Sequence, residues 1–399
     1  MSTDIKNTTE SNIEQKYFIL LLTYSLLPGI YKVLNNQAIM LFSVPIILYL
    51  FYKSIKNYRA KKIDIPFIVF FCYAIIQSFL WLCSPWVNKI GILMGIYLNI
   101  LPMLGFFISR GDLDFKVFTK IILKIVIIHC ILGIILYPIF SIVDHSNPIV
   151  KKITEGVAYG RMSSVAGSLI FGNLMLVGFI VSFFSDKRFL PLIVFCLIFN
   201  AQRSAWGASL FSVLIYLYFL LKNLEIKNFT SYVFSISLFS VAAIFFISNY
   251  VNFDIDFMLS RIDSIGEASS ERNSQWLKSI ENFFSYPLGV GVGQVGQIAS
   301  RYNEAKSMYD VIPDGDYFRI LYEHGFIGAL FFIFVIISAF LSLFLIRKRD
   351  KILILVLVIG YLIQMIGSNI SEFYFTNFIY WTIFGYYFLF LNQNYKFKI

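Results

Sequence analysis

The sequence predicts an all-α integral membrane protein of about 12 transmembrane helices, with one large extracytoplasmic loop late in the chain. Three observations predict it. Of the 399 residues, 58% are hydrophobic and only 14% charged, whereas a soluble domain carries about 25% charged residues. The apolar residues fall in continuous runs near bilayer-crossing length, without the alternation of a membrane β-barrel. The one long hydrophilic stretch, 250–324, has such runs on both sides.

In chain order the runs cover 17–31, 37–52, 65–83, 90–109, 118–141, 164–184, 189–201, 204–221, 230–249, 325–346, 352–368 and 373–391. The seventh is short. Lys53, Lys56, Arg59, Lys61 and Lys62 follow the second run, and Arg347, Lys348, Arg349 and Lys351 separate the tenth from the eleventh. Basic residues gather on the cytoplasmic side of a membrane, so both termini are expected inside and 250–324 outside, which is periplasmic in a bacterium. The net charge of +10 then reflects topology, and no nucleic-acid-binding motif accompanies it. The polar start of the chain gives no cleavable signal peptide. No repeat or linker divides it, so 1–399 is expected to be one polytopic membrane domain. Cys72, Cys83, Cys130 and Cys196 have neither metal-ligand nor redox spacing and are expected to be buried thiols.

Candidate chemistry begins with arginines on the outer side. Arg203, in Asn200-Ala201-Gln202-Arg203-Ser204-Ala205-Trp206, is wedged between two apolar runs. A guanidinium at the membrane edge is either a functional group or a snorkelling anchor. Arg272 follows Ser269 and Ser270, either of which suits the cap of a helix running to about Phe284. Gln275 lies on the same helix, and its free first-turn N–H groups and the Arg would suit a phosphate. The alternative is an amphipathic helix lying on the bilayer. Arg161 opens the sixth run from the same side.

Asp314 and Asp316 flank Gly315 ahead of a short helical pattern. One is expected to cap the helix, leaving the other to accept a proton. Arg319 and Glu323 are spaced to pair. Gly291-Val292-Gly293-Gln294-Val295-Gly296 matches a dinucleotide fingerprint formally, but no strand–turn–helix unit surrounds it. A tight turn that lets backbone approach backbone or ligand is expected instead. His129 is expected to be a structural hydrogen-bonding group. No metalloprotease or nucleophile-elbow pattern occurs.

The ordered series resembles the O-antigen polymerase and O-antigen ligase superfamily of bacterial surface-polysaccharide enzymes. Gln202-Arg203-Ser204-Ala205-Trp206 looks like the family's mid-chain element. Arg272 to Trp276, followed by Pro287-Leu288-Gly289-Val290-Gly291, resembles its Arg-x-x-x-Trp and Pro-x-x-Gly-x-Gly elements. Asp314 through Gly328 resembles the loop exit, and Arg161 with Gly167 and Asn173 the element ahead of the sixth helix. The likeness covers roughly residues 155–335. Where ligases usually carry His-Asn or His-Ser at the loop exit, this chain has Asp314-Gly315, which favours a polymerase.

The resemblance implies a GT-C-like membrane fold and a glycosyltransferase of the inner membrane, without cofactor or metal. It would move an undecaprenyl-pyrophosphate-linked glycan onto a lipid-linked repeat unit at the periplasmic face, with inversion. Arg203 and Arg272, assisted by Arg161, would take the pyrophosphate. Asp314 or Asp316 would activate the acceptor. Gln275, Trp276, Gly289, Gly291, Tyr317 and Arg319 are expected to bind substrate. Expected partners are the lipid-linked glycan, membrane lipid, a chain-length regulator and a flippase. The alternatives are an O-antigen ligase acting on lipid A-core or another acceptor, and a polysaccharide flippase. A flippase would place its polar groups at the bilayer midplane, whereas here they gather at one face.

Overall fold

The computed structural model describes residues 2–34, 37–56, 58–85, 87–142, 161–223, 230, 265–296, 315–346 and 349–394. Among them there is helix and no strand. The apolar runs become α1 (Ser2–Leu34), α2 (Ser43–Ile55), α3 (Ile65–Leu82), α4 (Lys89–Ile108), α5 (Phe115–Ile142) and α6 (Ser168–Phe184). They continue as α7 (Leu190–Asn200), α8 (Arg203–Lys222), α10 (Asp316–Leu345), α11 (Arg349–Gln364) and α12 (Tyr374–Asn394). The hydrophilic stretch contributes α9 (Ile265–Ser285).

Local chemistry explains the boundaries. Pro66 occupies the first turn of α3, where its missing N–H leaves no bond unmade. Asn88 caps α4 through its side chain, accepting from the N–H groups of Ile90 and Gly91 at 2.9 and 3.2 Å. Ahead of Pro102, α4 loosens into a π-turn over Ile96–Ile100, as expected where a proline removes an N–H from the ladder.

The helices pack around α6, α11 and α12. α11 lies against α6, α8, α10 and α12; α12 also meets α4, and α10 meets α3. Close approach uses small residues, as membrane helices do: Gly178 of α6 faces Val126, and Gly385 of α12 faces the Phe106 carbonyl. Aromatic stacks fill the seams, Phe67 on Phe106 at 3.7 Å and Tyr361 on Tyr380 at 3.8 Å. The peripheral helices turn apolar side chains outward, among them Leu48, Val69, Phe79, Leu210, Leu330 and Ile337. So large an exposed apolar surface is stable only against lipid. The chain is a helical membrane protein.

Six described helices are long and apolar enough to cross a bilayer, and α6 and residues 351–364 of α11 are shorter apolar helices. The expectation of about twelve spans is therefore not met by length and composition among the described residues. The seventh run forms a helix of only 11 residues, and α12 is diluted by Tyr, Asn and Thr. The ninth run, apart from Thr230, lies outside the described residues. Cys72 and Cys83 are exposed rather than buried, whereas Cys130 and Cys196 are buried; all four are free thiols. Both exposed thiols belong to α3 or its end, whose outer side carries Val69, Ile76 and Phe79.

Candidate functional site

One end of the bundle brings together polar groups from several helices. The starts of α6, α8, α10 and α12 meet the ends of α7 and α11 there.

Arg203 is the first residue of α8. The turn before it is two residues long. Ala201 is left-handed (φ 55°) and Gln202 extended, which reverses the chain without a loop. Trp206 Nε1 donates to the Leu197 carbonyl at 2.8 Å and fixes α7 to α8. Gln202 donates to Asn173 Oδ1 at 3.0 Å, and Gln364 donates to the same oxygen at 2.7 Å. Asn200 donates to the carbonyls of Met162 and Ser168 at 2.9 and 2.8 Å. Those bonds carry the segment after Arg161 to the foot of α8.

Arg161 is partly buried, and its Nε has no hydrogen-bond partner. Burial, and next the charge of Arg203, hold its pKa below the usual guanidinium value. Two arginines from separate segments thus share one field. Positive charge and a helix N-terminus both attract anions. Arg272 lies in α9, and its side chain is outside the described residues. The helix begins at Ile265, a turn earlier than expected, because Glu267 and Ala268 are themselves good helix formers. Ser269 and Ser270 are therefore interior residues and not caps. Trp276, one turn beyond Arg272, stacks on Phe318 of α10 at 4.7 Å, and the buried Gln275 Oε1 has no partner.

α10 is broken at Gly325, where φ is 58° and ψ −143°. A helix that stops there leaves its last carbonyls without N–H partners. The glycine segment supplies them: Val290 N donates to the Tyr322 carbonyl at 3.0 Å and Gly291 N to that of Glu323 at 3.1 Å. Gly289 N closes the preceding turn on the Tyr286 carbonyl at 2.7 Å. Beyond the break, Phe326 N donates to the Pro287 carbonyl at 2.9 Å. Gly293 has φ 73°, and a methyl group on it would strike the Gly91 carbonyl. Of the two uses that the sequence leaves open for this segment, backbone or ligand, the structure shows backbone against backbone.

A buried ion cluster locks the same junction. Arg319 Nη1 donates to Glu323 Oε2 at 2.6 Å, and Gly293 N to Glu323 Oε1 at 2.7 Å. Arg319 Nε and Nη2 reach Asp316 Oδ1 at 3.3 Å, and Ser371 N donates to Asp316 Oδ2 at 3.0 Å. Arg319 is 1% exposed and Asp316 fully buried. Asp316 is thus neither the helix cap, which is Gly315, nor a carboxylate open to substrate. Arg319 is likewise occupied within the protein, as its spacing to Glu323 anticipates. Tyr317 donates to the Leu362 carbonyl at 2.7 Å. Asp314 lies outside the described residues. His324 meets Gln77 at 3.1 Å. His129 bridges Ser164 and Ser25 at 2.8 and 3.1 Å, the structural role its mid-helix position suggests.

The two halves are joined through the α11–α12 connection. Ser368 lies 3.5 Å from Gln202 Nε2, Asn369 accepts from Gly315 N at 2.9 Å, and Ser371 holds Asp316. Across the break of α10, a cavity of about 190 Å³ is lined by Tyr317, Phe318, Leu321, Phe332, Ile333 and Ile336, among others.

This segment order is also found by comparison, because residues 189–333 match the family described as O-antigen ligase. That stretch of the chain is similar to the family. Among curated proteins none matches the chain. The matched residues run from the start of α7 through Arg203, α9 and the glycine turn to the middle of α10. Arg161 and the α11–α12 connection lie outside it, yet the structure brings both to it. Asn173 enters the sequence reading only through the resemblance, and Gln364, Ser368, Asn369 and Ser371 do not stand out in the sequence as site residues. Their signal is that they are polar residues inside or beside apolar runs.

Proposed function

We propose that the protein is a surface-polysaccharide polymerase. It transfers an undecaprenyl-pyrophosphate-linked glycan to a hydroxyl of a lipid-linked repeat unit at the periplasmic face of the inner membrane. The observation that carries this reading is that Arg203 opens α8 inside the stretch similar to the O-antigen ligase family, with Asn200 tying the residue after Arg161 to the same end of the bundle. As the glycosidic bond to the pyrophosphate breaks, negative charge develops on the leaving oxygens. Guanidinium groups and helix N–H groups already aimed there stabilise that charge without reorganising. Arg272, on a helix pinned to α10 by Trp276, is assigned the same role. Gln275 and the apolar cavity beside Phe318 would receive the lipid-linked substrates.

Both oxygens of Asp316 are engaged, so Asp314 is the carboxylate assigned to orient or deprotonate the acceptor hydroxyl. Attack from the face opposite the pyrophosphate inverts the anomeric carbon. No metal or cofactor is assigned a role. About twelve spans with both termini cytoplasmic, a GT-C-like arrangement of one domain and a periplasmic segment 250–324 complete the reading. A flippase and a chain-length regulator are its natural partners.

The family description favours a second reading, an O-antigen ligase. Asp314-Gly315, where a ligase usually has His, favours the polymerase. An acceptor assay separates them. With full-length protein, the polymerase lengthens lipid-linked repeat units in the absence of lipid A-core. Activity seen only when lipid A-core or another finished acceptor is added would reverse the assignment.

A further inference from the structure

Among the described residues, α9 packs on the protein through one side. Trp276, Ser279 and Phe283 share the side turned to α10, with Ser279 fully buried and Trp276 stacked on Phe318. Ser274, Lys278, Glu281 and Ser285 form an exposed polar edge. Between these lies a row of uncovered apolar side chains, Leu277, Ile280 and Phe284, exposed by 61, 37 and 76%. Their spacing of three and four residues sets them side by side.

The row does not stop at the helix end. Leu288, 66% exposed, is the next member four residues on. The bond from Phe326 N to the Pro287 carbonyl sets it beside Phe326. From Phe326 the exposed row continues down α10 through Leu330, Ile333 and Ile337. α10 is one of the helices long and apolar enough to cross a bilayer.

We propose that α9 is a membrane-surface helix. Leu277, Ile280, Phe284 and Leu288 enter the outer leaflet at the headgroup boundary, and Lys278 and Glu281 stay in water. The occupant of the row is the lipid bilayer, because the row is continuous with the lipid-facing side of α10. A charged edge directly beside an apolar one also matches the headgroup boundary. The helix then lies along the membrane plane and holds the start of α10 at that depth, whichever substrate the protein takes.

The test uses full-length protein in lipid nanodiscs, with the native cysteines replaced and single spin labels attached. At Leu277→Cys, Ile280→Cys and Phe284→Cys, collisions with oxygen, which partitions into lipid, should exceed those with a water-soluble nickel chelate. At Lys278→Cys and Glu281→Cys the order should reverse. Nickel access at all five positions would overturn the proposal. So would shielding of the row from both reagents with spin–spin broadening, which would mean that a second copy covers it. Unsubstituted protein provides an independent measurement with a photoactivatable acyl phospholipid. Adducts on residues 277–288 are expected; adducts on α10 with none on 277–288 would count against a surface helix.

Discussion

At the scale of single residues, the arginines divide into two kinds. Arg319 is consumed by Asp316, Glu323 and Ser371, whereas Arg161 keeps a buried Nε without a partner beside Arg203. The first kind should act on stability. Glu323→Gln leaves Arg319 facing an amide in a buried cluster, and breaking such a pair costs about 3–5 kcal/mol. A lowered unfolding temperature of the purified protein, with α-helical content retained at low temperature, checks it. The arginines assigned to the pyrophosphate should act on turnover. Arg203→Ala or Arg272→Ala should each lower the transfer rate by about 10²–10³-fold. Arg161→Ala should lower it less, and its effect should shrink in an Arg203→Ala background, because groups serving one anion do not add. Multiplying effects in the double variant would separate the two arginines. Asp314→Asn should reduce turnover with normal amounts of folded protein, whereas Asp316→Asn should reduce the folded amount. The spacing of Arg319 and Glu323 makes their pairing legible in the sequence. The sealing of Asp316 is not, because it depends on Ser371, 55 residues away.

At the scale of elements, the junction of the glycine turn with α10 is the feature on which the site rests. A helix broken at Gly325 exposes two carbonyls, and the N–H groups of Val290 and Gly291 meet them. Both sides need backbone conformations or clearances that a side chain denies. Gly293→Ala combines a left-handed φ with a collision against the Gly91 carbonyl; the strained backbone alone costs about 1–3 kcal/mol. Faster amide hydrogen exchange across residues 287–296 and 322–326, with α6 and α11 unchanged, is the expected signature. Unchanged exchange would mean that the turn is not held by this contact. The glycine pattern announces such a turn, and its use against backbone or ligand is readable from the sequence. Its partner is not, since Gly91 is an ordinary glycine in an apolar run. The start of α9 is also misplaced by the sequence, because serines that could cap a helix lie inside one that starts earlier.

At the scale of the whole molecule, composition fixes the class and apolar runs place most of the helices. They do not fix which helices cross the membrane. α7 is too short, α12 is too polar on average, and α6 is buried on nearly every side. A helix covered by other helices does not need the hydropathy or the length of one facing lipid. For the same reason the site is half legible. The arginines stand out against an apolar chain, while the amides and serines that tie their segments together become visible only when α6, α8, α11 and α12 come together. The most direct test is transfer by purified full-length protein supplied with undecaprenyl-pyrophosphate-linked repeat units alone. A ladder of longer lipid-linked glycans, lost in Arg203→Ala and in Arg272→Ala while both variants remain folded, is the expected result. An undiminished ladder in both variants would contradict the assignment of the site.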